Sequence, residues 1–71
     1  MTEYCFLKDN VVQAIYVCDE QNAKETKERM GFDECILRPN LFVGLGHVYR
    51  DGKFWTTIKD ENGNDFEVEL G

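Results

Sequence analysis

Two turn signals in the last third of the chain limit what it can fold into. Asp51-Gly52 separates His47-Val48-Tyr49-Arg50 from Lys53-Phe54-Trp55-Thr56-Thr57-Ile58. Asp-Gly favours a two-residue hairpin turn, because both central residues of a type I′ turn need positive φ. Glu61-Asn62-Gly63-Asn64 is the next turn, where Asn-Gly suits the same type I′ geometry. Asp65-Phe66-Glu67-Val68-Glu69-Leu70 then alternates, which directs Phe66, Val68 and Leu70 inward. These segments predict a C-terminal antiparallel three-stranded meander.

The first half predicts a hairpin followed by a helix. Tyr4-Cys5-Phe6-Leu7 and Val11-Val12-Gln13-Ala14-Ile15-Tyr16-Val17 are apolar, β-prone runs around a polar turn at Asp9-Asn10. The second run carries apolar residues on both faces, the pattern of a strand covered on both sides, in part by another chain. Residues 19–30 predict one short surface helix. Asn22 with Glu25 reads as a capping box, and Glu20/Lys24 and Glu25/Arg29 stand four apart in the favourable order. Ala23, Thr26 and Met30 give it a thin apolar stripe. Gly31 ends it, and Phe32 is expected to fold back onto its last turn. Glu34-Cys35-Ile36-Leu37 predicts a further strand, closed by Arg38-Pro39-Asn40. Leu41-Phe42-Val43 and Gly44-Leu45-Gly46 follow as an apolar segment and a loop. The fold class is therefore α+β: an N-terminal β-hairpin, one short helix and a C-terminal meander, in one sheet or two small packed ones.

With 71 residues, the chain has room for a single small domain, 1–71, with a thin core. Disulfides, metals or partner subunits commonly supplement such cores. Cys5, Cys18 and Cys35 are odd in number and lack CxxC spacing, which argues against a disulfide framework or zinc site. With the first turn at Asp9-Asn10, Cys5 falls opposite Gln13 or Ala14 and far from Cys18. The thiols are expected to be reduced and packed as small apolar groups. No cofactor and no metal are expected, which leaves association with another chain as the supplement.

No run approaches the roughly 20 apolar residues of a membrane span, and Met1-Thr2-Glu3-Tyr4 lacks the pattern of a signal peptide. A reducing cytoplasm is the expected place of synthesis. The net charge of −6 disfavours direct nucleic-acid binding, which calls for a basic stripe. The acids are spread over helix, turns and last strand, as on a solvated surface.

Catalysis finds little support in these residues. His47 is the sole histidine and the chain has no serine. No basic residue stands beside Cys18 or Cys35 to activate a thiolate, so no triad or metal constellation can be assembled. The aromatic residues say more. Phe54 and Trp55 are neighbours in a strand, so they point to opposite faces and cannot both be core. With Phe54 inside, Trp55 faces solvent or a partner. Trp55, Tyr49 and Phe42 are the expected protein-contact residues, since aromatics dominate interface energetics.

Two segments together resemble short bacteriophage tail-associated proteins. Asn10-Val11-Val12-Gln13-Ala14-Ile15-Tyr16-Val17-Cys18-Asp19-Glu20 is similar to an opening N-V-V-x-x-I-x-V-x-D-E that leads into a short helix and a glycine. Val43-Gly44-Leu45-Gly46-His47-Val48-Tyr49-Arg50-Asp51-Gly52-Lys53-Phe54 is similar to a later V-G-x-G-x-x-Y-D-G-x-F. Order and spacing match across residues 4–54. The chain departs from the pattern at His47, where the family often has Trp, and at Arg50, inserted before Asp-Gly. It also departs in its last strand, where relatives turn proline-rich or coiled.

The resemblance implies a non-enzymatic virion component of the tail, tail fibre or baseplate, made in the bacterial host cytoplasm. Its partners would be other phage virion proteins within an oligomeric assembly. The alternatives are a small acidic inhibitor of a host protein, of anti-defence or DNA-mimic type, and a small host regulatory module.

Overall fold

Asp9 and Asn10 both take positive φ, 52° and 65°, so the first polar turn is a tight one. It joins β1 (Glu3–Lys8) to β2 (Val11–Val17). The computed structural model describes residues 2–71. After β2 come α1 (Glu20–Met30), β3 (Glu34–Leu37), β4 (Val48–Arg50), β5 (Lys53–Lys59) and β6 (Asp65–Glu69). All the strands lie in one six-stranded sheet of order β3-β1-β2-β4-β5-β6 with antiparallel neighbours. The fold is α+β, with the hairpin, helix and meander in the expected order.

A bulge shifts the first hairpin. Lys8 pairs with Val11 and Leu7 with Val12, but Phe6 pairs with Ala14, and Cys5 therefore faces Ile15 rather than Gln13 or Ala14. One extra residue on β2 opposite the Phe6/Leu7 step accounts for the slip. The chain on either side of the bulge keeps its inward set: Leu7 with Val12, and Cys5 with Ile15.

The helix begins one residue later than expected and is capped differently. Asp19, not Asn22, is the N-cap: its Oδ1 accepts from the Asn22 backbone N–H at 2.8 Å. Both residue types can cap, but only Asp19 has the extended backbone (φ −83°, ψ 173°) that a cap needs. Glu20 and Lys24 form the expected pair at 3.4 Å. Gly31 closes the helix at φ 76°. The Phe32 N–H donates to the Lys27 carbonyl, and its ring packs tilted against Phe6 with centroids 5.4 Å apart.

The sheet is thinly covered on both faces. Cys5, Leu7, Val12, Val43 and Phe54 form the main core, with Ile15, Ile36, Tyr49 and Leu70 packed against it. Val43 comes from the long β3–β4 connection, which closes over this face. Phe6 alternates with Cys5 and Leu7 and so points to the opposite face. There it is fully buried among Tyr16, Phe32 and the side on which α1 buries Ala23. The helix thus covers a small second core as well as presenting a surface.

The meander matches its expected strands to within a residue, but its second turn is of a different kind. Asp51 and Gly52 have φ 55° and 78°, as type I′ requires. In the next turn Gly63 has φ 82° and Asn62 does not enter the positive region. Asp60 explains the difference. Its Oδ1 accepts from the backbone N–H groups of Asn62 and Asn64, and its carbonyl accepts from Gly63, giving a longer loop.

Of the three residues expected inward near the C-terminus, Leu70, just past β6, packs on the core and Val68 is half-buried. Phe66 is 44% exposed beside Ile58, also 44%. These two lie where the β5–β6 hairpin runs past the covering loop, in a molecule measuring 45 × 23 × 18 Å.

Replacing Gly52 or Gly63 with valine should cost roughly 1 kcal/mol or more each, because a β-branched residue resists positive φ. A Cβ at either position meets nothing within 4 Å, so the cost is conformational and not steric. Urea midpoints unchanged in both variants would contradict this account.

Candidate interaction surface

Arg38 builds the most unusual surface of the molecule. It follows β3 and points into the β3–β4 connection, where its guanidinium makes three separate contacts. Nε donates to the Val43 carbonyl at 2.8 Å, one terminal nitrogen to the Leu41 carbonyl at 3.1 Å, and the other to Glu3 Oε2 at 2.8 Å. A planar fork of fixed donors suits this task better than an ammonium would.

Other residues fix the rest of the connection. Asn40 Oδ1 accepts from the Phe42 N–H at 2.8 Å, an Asx turn, while its Nδ2 donates to the Leu70 carbonyl at 2.6 Å. His47 Nδ1 accepts from the Gly44 N–H at 2.9 Å, so this imidazole nitrogen is an acceptor in the fold. The backbones of Gly46 and His47 are bonded to Val12.

The consequence is a loop with fixed inside and outside. Val43 is turned into the core at 0% exposure, whereas Leu41, Phe42 and Leu45 stand 81%, 77% and 66% exposed. Leu37, also exposed, lines a cleft of about 330 Å³ together with Leu41, Arg38 and Glu3. Large apolar side chains scattered singly on a surface need no explanation, but several held outward by one pinned loop form a patch.

The three residues expected at an interface lie in three settings. Phe42 is on the pinned loop. Tyr49 is half-buried on the core face, its ring 4.8 Å from that of Phe54. Trp55 is on the opposite face, half-buried under Arg50, whose guanidinium lies 4.9 Å from the indole centroid. The indole N–H donates to the Arg50 carbonyl at 3.1 Å, and Arg50 also pairs with Glu67. Lys53 pairs with Glu69 at 2.9 Å along the same face. Phe54 fills the core and Trp55 points away from it, as strand alternation requires, and the outward indole is covered by a cation of its own chain.

Sequence reading missed Leu41 and Leu45. The available signal was a run of large hydrophobic residues in a segment bounded by Pro39 and Gly46, where no strand alternation would hide them.

The three cysteines are free thiols. Burial pushes the pKa of Cys5 up, which keeps this core thiol neutral. Burial, with Asp19 and Cys35 nearby, also raises that of Cys18. Among the described residues no group of His, Cys, Asp or Glu is placed to hold a metal ion, and no helix is long and apolar enough to cross a membrane. Compared with known proteins, this chain matches no family model, no curated protein and no solved structure.

Proposed function

We propose that the protein is a non-enzymatic structural subunit of a bacteriophage virion, tail-associated, that docks onto other virion proteins through the loop carrying Leu41, Phe42 and Leu45. The observation that carries this reading is the fixed exposure of those three side chains by Arg38, Asn40 and His47. A pre-ordered apolar loop loses little conformational freedom on binding, so its burial is available to affinity. The likeness of residues 4–54 to tail-associated proteins supports a virion as the assembly. His47, the sole histidine, already holds the loop through Nδ1, which supports a scaffold role over general-base work.

The acidic-inhibitor alternative is less well supported. A DNA-mimicking surface needs unneutralised carboxylates in a row, whereas Glu3, Glu67 and Glu69 are each paired with a cation.

Mass spectrometry of purified particles from a phage genome carrying this reading frame tests the proposal. The chain should be present at fixed copy number, and Leu41→Glu with Phe42→Glu should lower its incorporation about tenfold or more. Absence of the wild-type chain from the particles overturns the virion reading. Undiminished incorporation of the double variant overturns the docking surface.

A further inference from the structure

The far edge of β2 is open over most of its length. On that side β2 meets β4 only at Val11↔Val48, supported by bonds of Val12 with His47 and Gly46. β4 then leads away into the meander. From Gln13 to Val17 the strand is paired with β1 alone among the described residues. The Cys18 N–H points to Thr2 beside β1. Backbone alternation therefore turns the N–H and C=O groups of Ile15 and Val17 toward the open side.

The two outer edges of the sheet are protected and this inner one is not. β6 carries Asp65, Glu67 and Glu69 at alternate positions, and β3 is only four residues long with Glu34 at its start and Pro39 just past its end. Charges, short strands and proline are the usual guards against edge pairing. Gln13-Ala14-Ile15-Tyr16-Val17 has no charge and no proline, and leaves Tyr16 42% and Val17 52% exposed.

We infer that a second copy of this chain pairs here, β2 against β2 in antiparallel sense, with Tyr16 on the two-fold axis. Ile15 then lies opposite Val17 of the second copy, and each such pair exchanges both of its backbone hydrogen bonds. The two Tyr16 rings meet on the helix-side face, each already braced by Phe6 at 5.3 Å. Val17, exposed in one chain, is covered by Ile15 of the other. This register also suits a chain of net charge −6, because no carboxylate is set against a carboxylate. Asp19, beside a cleft of about 510 Å³, comes opposite the neutral amide of Gln13 of the second copy. The same patch serves both copies, as two-fold assembly demands. The inference does not depend on the virion reading.

Sedimentation of the purified chain from micromolar to millimolar concentration tests it. The wild type should reach twice the chain mass. Val17→Pro removes one outward donor and leaves the bonds to β1 in place, so it should weaken the dimer about tenfold or more while keeping the monomer's circular dichroism. Val17→Lys, at an exposed position, should do the same if the proline variant fails to fold. A wild type that stays monomeric, or a dimer indifferent to both substitutions, overturns the proposal. The register has its own check. Tyr16→Cys should form a disulfide-linked dimer on mild oxidation beyond any wild-type background, since facing residues of a non-hydrogen-bonded pair lie about 4.5 Å apart, within disulfide reach. No such gain rejects the Tyr16 axis.

Discussion

Phe6→Ala should cost about 3–5 kcal/mol, the range for deleting a fully buried phenylalanine. A chain of this size has roughly 4–11 kcal/mol in all, at the usual stability per residue. The variant should therefore be largely unfolded at a temperature where the wild type is intact. Phe6 has this weight because its face of the sheet has so little else. Its ring is 0% exposed and sits between Tyr16 at 5.3 Å and Phe32 at 5.4 Å, with the buried Ala23 of α1 on the same side. Alanine at position 6 removes the fully buried ring that Tyr16 and Phe32 close around on the helix side. Urea denaturation followed by circular dichroism gives the cost, and hydrogen exchange shows whether the α1 amides open first. Phe6→Leu, which restores most of the volume, should recover most of the stability. A loss below about 1 kcal/mol in the alanine variant would show that the helix-side core contributes little.

That second core illustrates what the sequence could and could not convey. Apolar runs bounded by turn residues located the strands, because Asp9-Asn10, Asp51-Gly52 and Gly63 impose local geometry on the two hairpins and the meander. Tyr4-Cys5-Phe6-Leu7 shows no alternation, since it is buried on both faces, so the residue assigned to each face was not legible. The bulge is invisible for a similar reason: β2 carries apolar residues on both faces, so one extra residue at Gln13 leaves no break in alternation to read. At the helix start, Asp19 and Asn22 are both competent caps, and only the path of the chain leaving β2 decides between them.

The proposed contact surface was legible in composition but not in place. Phe42 could be named as an exposed aromatic candidate, yet the device that holds it out joins residues distant in sequence: Arg38 to Glu3, Asn40 to Leu70. Trp55 shows the converse. Strand alternation sent it outward correctly, but its cover, Arg50, lies across the turn, and no local pattern encodes a stacked guanidinium.

Arg38→Ala is the second large effect, and it joins the fold to the proposed contact. The side chain is only 17% exposed, and its partner Glu3 35%, so the pair is neither a surface ion pair nor a fully buried one. Exposed pairs contribute up to about 1 kcal/mol, and breaking buried ones costs about 3–5. With the carbonyls of Val43 and Leu41 also losing a charged donor, a loss of about 2–3 kcal/mol is expected. The route of the loss can be separated by two companions. Glu3→Gln keeps an acceptor for the guanidinium and removes only the charge, and should cost less than about 1 kcal/mol. Arg38→Lys keeps the charge beside Glu3 but cannot reach three acceptors in one plane, and should remain close to the alanine variant. Amide exchange at Gly44 and Gly46 reports on the loop itself, since these N–H groups are bonded to His47 and Val12 only while the connection is closed. Both should exchange faster in Arg38→Ala before global unfolding, with Val43 released from the core and the Leu41-Phe42 lip no longer preset. An Arg38→Ala chain within about 0.5 kcal/mol of the wild type, with unchanged exchange at these glycines, would mean that Val43 alone anchors the loop.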